Sequence, residues 1–208
     1  MSKLTKVLLI LMIVGLIFGG VGAVDAFKVW KGDINDTKDI KIGDLKNGDL
    51  YEGEIPYAYD VIAEQVTTST YGPVPVSKTK SPYYLVQNEN CFFVINVTAA
   101  ADQGDFDKLA DLSWDQIDGK IKDDPEPVKV SAQASKMPDE VKKYLKEYCD
   151  EWGMSDSDYA ELVEESCYLH TVNYNSMRYI PIAGFGVAIL CAVILIIKKV
   201  TAPKIVNL

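Results

Sequence analysis

The chain has 208 residues, 48% of them hydrophobic and 25% charged, with a formal net charge of −9. Two charge-free, mostly apolar runs at residues 7–24 and 179–197 argue against an ordinary soluble protein. Residues 25–178 have near-globular composition and are the only stretch long enough to bury a sizeable core.

At about 1.5 Å rise per residue the two runs reach about 27 and 28 Å, against a hydrocarbon core of about 30 Å, so each reads as a transmembrane helix. Lys3 and Lys6 precede the first run and Lys198, Lys199 and Lys204 follow the second, with no acidic residue in either flank. The positive-inside rule then predicts cytoplasmic ends at 1–6 and 198–208, spans at 7–24 and 179–197, and an extracytoplasmic domain at 25–178, all in the plasma membrane. Trp30, Tyr174 and Tyr179 fit interfacial anchors. A cleaved signal peptide is the alternative for the first run, since Val21-Gly22-Ala23 and Val24-Asp25-Ala26 resemble cleavage sites, but the run is longer than the usual apolar region. Small residues recur at four-residue spacing, Gly15, Gly19 and Ala23 in the first run and Gly184, Ala188 and Ala192 in the second. Such stripes let backbones approach closely, and pairing of the two spans is expected ahead of pairing between copies. Cys191 and Tyr179 are the only ionisable side chains in the runs, which gives an intramembrane ion path little support.

Between the runs, 16 basic residues face 30 acidic ones, a net of −14. That balance disfavours nucleic acid and an anionic lipid surface, and it matches a solvated exterior. Residues 50–55 and 61–70 are rich in β-formers, and Gly72-Pro73-Val74-Pro75 breaks the second stretch. Residues 81–87 and 91–97 flank Asn88-Glu89-Asn90 and predict a β-hairpin. Cys91, Phe93, Ile95 and Val97 alternate with Phe92 and Val94, so both faces are apolar and the hairpin belongs at the centre of a sheet. Three amphipathic helices follow, carried by Phe106, Leu109, Ala110, Trp114 and Ile117, by Val141, Tyr144, Leu145, Tyr148, Cys149 and Trp152, and by Tyr159, Leu162, Val163 and Cys167. Pro138 opens the middle one, Gly153 closes it, and Ser155 with Asp158 resembles a capping box for the last. Residues 120–136 read as a connector with an edge strand around Val128 to Val130. The expected fold is α+β: a small, mainly antiparallel sheet with a C-terminal helical hairpin, flanked by two transmembrane helices.

Signals for chemistry are sparse. Cys91, Cys149 and Cys167 are an odd set on apolar faces and read as packed thiols, with a bridge from Cys91 to a helix left open. His170 is the single histidine and continues the last helix's apolar stripe, so no zinc spacing exists. Ser77-Lys78-Thr79-Lys80 matches a Ser-x-x-Lys signature formally, but it lies beside a strand and lacks companion motifs. Asp102, Asp105, Asp107, Asp111, Asp115 and Asp118 lack the spacing of a calcium loop and read as a solvated helix face. Asn35-Asp36-Thr37 and Asn96-Val97-Thr98 match the glycosylation sequon, with Asn96 the poorer acceptor because it falls in a strand. No catalytic residue, metal ligand or cofactor is assigned.

Gly53-Glu54-Ile55 with Tyr59-Asp60, Tyr83-Tyr84-Leu85-Val86, Phe92-Phe93-Val94-Ile95-Asn96-Val97 and the helical pair at 137–173 running into the second span resemble a family of two-span membrane proteins of unknown function from clostridia and related Gram-positive bacteria. The resemblance implies a Gram-positive plasma membrane and this topology. The expected function is a non-catalytic interaction, sensing or scaffold domain outside the cell; the alternatives are an accessory subunit of a transport or secretion complex and an envelope enzyme of unrecognised type. The expected partners are the lipid bilayer and a membrane protein or a second copy, with no nucleic acid.

Overall fold

The computed structural model describes residues 3–71 and 74–201. It divides into two compact units, one formed by Ile34–Val172 and the other by the chain ends up to Asp33 and from Asn173 onward.

The helical unit consists of α1 (Lys3–Lys31) and α5 (Tyr174–Val200), each long and apolar enough to cross a bilayer. Both outlast the apolar runs of the sequence. Lys28 and Lys31 in the last turn of α1 complement its dipole, and Gly32 ends it at φ +70°. The Asn173 side chain caps α5 by accepting from the Ser176 N–H at 3.1 Å. Buried positions fall at Leu8, Gly15, Gly19, Ala26 and Val29 in α1 and at Tyr174, Pro181, Gly184, Ala188 and Cys191 in α5. These steps of three, four and seven give each helix one heptad-like seam. Gly15 meets Gly184 and Ala188 while Gly22 meets Pro181, so the helices run antiparallel.

The sheet unit contains β1 (Asn35–Asp36), a 3-10 turn at Thr37–Asp39, β2 (Leu50–Ile55), β3 (Tyr57–Tyr71), β4 (Val74–Gln87), β5 (Phe92–Asn96), α2 (Ala100–Ile117), β6 (Val128–Lys136), α3 (Asp139–Glu151), α4 (Asp156–Leu162) and β7 (Cys167–Thr171). The seven strands are ordered β1-β2-β6-β7-β5-β4-β3. One face gathers Tyr84, Val86, Phe93 and Ile95 with Phe106 and Leu109 of α2. The other gathers Tyr83, Leu85 and Val94 with Val141, Leu145 and Cys149 of α3 and Tyr159 of α4. The strict alternation of β4 and β5 between two apolar cores is what a buried interior hairpin requires. Their register, Gln87 opposite Phe92, places the turn at residues 88–91.

Three expectations are corrected. The sheet is mixed, because β1 pairs with β2 and β5 with β7 in parallel. The helical hairpin is cut short: α4 ends at Leu162, where Val163 bridges to Phe92 and the Glu164 N–H donates to the Phe92 carbonyl at 2.8 Å. Residues 167–171 then form a strand, in which Cys167, Leu169 and Thr171 are buried while Tyr168 and His170 are half-buried. The connector strand is nine residues long and interior, paired with β2 on one side and β7 on the other.

Candidate functional site

In the helical unit the small residues act through close approach. A methyl group at Gly15 would stand 2.6 Å from the Gly184 carbonyl oxygen, and one at Gly184 would stand 2.7 Å from the Gly19 nitrogen. Gly19 receives the Phe185 ring at 2.8 Å from the same imagined atom. Ala188 is buried, whereas Ala23 and Ala192 are half-buried at the margin of the seam. Leu8, Ala26, Val29, Tyr174, Pro181 and Cys191 complete the buried set. A search for small residues at four-residue spacing passes over these, although the heptad period carries them. The remaining surface of both helices is large and apolar: Ile10, Phe18 and Val21 on α1 and Ile189, Leu190 and Ile196 on α5 are each more than half exposed.

In the sheet unit the reactive groups point inward. Cys91, Cys149 and Cys167 are buried free thiols. Burial pushes the Cys91 thiol up to about 11, helped by the Glu164 and Asp44 carboxylates, and burial pushes Cys149 to about 11 as well, so neither is a nucleophile near neutral pH. Glu164, 1% exposed, accepts hydrogen bonds from the main-chain N–H of Gly43, from the Ser166 N–H at 2.7 Å and from the Ser166 hydroxyl. Asn88, 3% exposed, donates to the carbonyls of Thr37 and Ile40 at 3.0 Å and accepts from the N–H groups of Asn90 and Cys91 at 2.8 and 2.9 Å. Together they hold the 37–43 segment against the β4–β5 turn and the start of β7.

The remaining sequence signals have structural roles. His170 Nδ1 lies 3.2 Å from the Ser135 hydroxyl, between β5 and β6. The Asn96 amide is buried and donates to the carbonyls of Ser81 and Pro82, and the Asn35 amide donates to the Leu50 carbonyl. Ser77 and Lys80 lie in β4, where a three-residue step puts side chains on opposite faces. Asp107 accepts from the Tyr84 hydroxyl at 2.5 Å, while Asp115 and Asp118 pair with Lys120 at 2.8 and 3.0 Å. Among the described residues no group of three or more His, Cys, Asp or Glu side chains is arranged to hold a metal ion.

Tyr59, Phe92, Trp114, Tyr148 and Trp152 form an aromatic cluster with ring centroids 4.8 to 6.4 Å apart. Trp152 closes it and remains 37% exposed. One groove between α2 and β6 is lined by Asp105, Lys108, Leu112, Glu126 and Pro127, and another by Asp36, Asp39, Asp44, Lys46 and Asp49.

These features define an α+β protein in which a mixed seven-stranded sheet lies, in sequence, between two long apolar helices that pack through glycines. The chain belongs to the family described as a domain of unknown function, DUF8577, which it matches over residues 1–199. It matches no curated protein.

Proposed function

We propose that this is an integral plasma-membrane protein that crosses the bilayer twice, keeps both ends in the cytoplasm and presents Ile34–Val172 outside as a non-catalytic interaction, sensing or scaffold domain. The observation that carries the reading is the surface of α1 and α5: large aliphatic side chains face outward all round a glycine-packed pair, an arrangement whose favourable solvent is hydrocarbon. The lysines beyond the two apolar runs support the sidedness. In the sheet unit, the burial of the three thiols and the hydrogen bonds of the buried Glu164 carboxylate support structural rather than chemical roles for those groups. Two spans are also what the resemblance to the membrane proteins of clostridia and related Gram-positive bacteria implies.

Cysteine labelling in intact cells tests this, because the native thiols are buried. Exposed Glu161 and Thr201 are replaced in turn. A membrane-impermeant maleimide is expected to label Glu161→Cys in intact cells and Thr201→Cys only after permeabilisation. The opposite pattern would invert the topology, and extraction of the chain from membranes by alkaline carbonate would contradict the two spans.

A further inference from the structure

We propose that the outer edge of β3 pairs antiparallel with the same edge of a second copy of this chain, forming a four-stranded β4-β3-β3′-β4′ ribbon across a two-fold axis. The inference rests on the interaction reading above and names the partner.

The hairpin of β3 and β4 outruns the sheet. β4 pairs with β5 only over Tyr83–Gln87, while its pairing with β3 continues without a register shift from Ala63 opposite Tyr83 to Ser69 opposite Ser77. Over that length the hairpin is a two-stranded ribbon, and Glu64, Gln65, Val66, Thr67 and Thr68 are consecutively exposed, so neither face is covered. A two-stranded ribbon is marginal in water without a further strand or a covered face.

The two edges of this ribbon are treated differently. On β4 the edge carries Lys78, Lys80 and Pro82, residues that block strand addition. Its carbonyls at Lys80, Ser81 and Pro82 are already taken by the Gln103 and Asn96 side chains and the Val97 N–H. On β3 the start is occupied: the Ala58 N–H donates to the Ser113 hydroxyl of α2 and Tyr148 of α3 bonds to Asp60. Beyond Ala63, β3 has no proline and no lysine. Among the described residues nothing outside the hairpin bonds to its main chain there.

Charge and shape favour a second copy as the occupant. Residues 65–77 carry no charge in a chain of net −9, so two acidic molecules meet here without opposing like charges. A two-fold axis at Val66 sets Gln65 opposite Thr67′ and Glu64 opposite Thr68′, leaving Glu64 its bridge to Lys80 at 2.6 Å. It also sets Val66, 45% exposed, against its own copy and buries the large apolar side chain of this segment.

The test uses the full chain in its native membranes, with single cysteines at Val66, at Thr67 and, on β4, at Thr79, under mild oxidation. Continued protection of Cys91, Cys149 and Cys167 from maleimide certifies the fold of each variant. The expected result is a disulfide-linked dimer at Val66→Cys, weaker at Thr67→Cys and lost at Thr79→Cys, because only the axial position brings its two copies within disulfide reach. Equal linkage at Val66 and Thr79, or none at any position, would overturn the pairing. Lysine-reactive crosslinking of the wild-type chain in the same membranes separates the two claims. A different protein captured without the Val66 disulfide overturns the copy-to-copy pairing and keeps the interaction reading, whereas no partner of any kind overturns both.

Discussion

At the scale of single residues, two buried polar side chains govern how the sheet unit closes. Asn88 is readable from sequence, since an Asn-Glu-Asn step between two apolar runs announces a turn whose first side chain bonds to its own backbone. Glu164 is not. It sits among Glu161 and Glu165, and nothing local distinguishes the carboxylate that turns inward from its exposed neighbours. Only the bridge from Val163 to Phe92 aims it at Gly43 and Ser166. Replacing Glu164 by Ala removes the buried carboxylate that the Gly43 and Ser166 donors share, and with it their charge-assisted hydrogen bonds, so a loss of about 1–3 kcal/mol is expected. The same change at exposed Glu161 should stay within about 0.5 kcal/mol. Urea unfolding of the full chain in detergent micelles measures both, and equal effects would contradict the role given to Glu164.

Secondary-structure elements show why parts of the fold are legible and others are hidden. The β4–β5 hairpin and α3 are announced by alternation, by a turn and by Pro138 and Gly153 in agreement with one another. β7 is masked because Tyr159, Leu162, Val163 and Cys167 satisfy a helical period across the very residues where the helix stops. The competing signal, buried Cys167, Leu169 and Thr171 at every second position, is only five residues long. β6 is masked by composition: Ala132 and Ala134 occupy its inward positions, and alanine is a poor β-former. For the helix pair, the four-residue stripe finds Gly15, Gly19, Gly184 and Ala188, while the seven-residue repeat also recovers Leu8, Ala26, Pro181 and Cys191. A Leu at Gly184 would drive its first carbon into the Gly19 backbone, and overpacking of this kind costs about 1–3 kcal/mol. Nothing lies within 4 Å of the corresponding atom at Gly186. Thermal unfolding in micelles should therefore fall for Gly184→Leu and hold for Gly186→Leu; matching midpoints would mean that the helices do not pack through this seam.

Across the whole molecule, the buried thiols and phenols make stability sensitive to alkali. Burial raises Cys91 and Cys149 from 9.0 to about 11 and Tyr51, Tyr59 and Tyr83 from 10.0 to about 12. A group whose folded-state value is raised contributes stability that is complete below its unfolded value and lost as pH rises through the folded one. Melting temperature should thus be insensitive to these groups up to about pH 9 and fall progressively from there to about pH 12. A constant midpoint across pH 8, 10 and 12 would show that these groups ionise as freely in the native state as in the unfolded one. The position of β7 has a further consequence, for synthesis. Among the described strands it is the last to leave the ribosome, yet it joins the β2–β6 side of the sheet to the β3–β4–β5 side. A nascent chain that has not reached Thr171 therefore holds two half-sheets with open inner edges, and closure of the sheet must wait until the helix that follows, α5, is about to emerge.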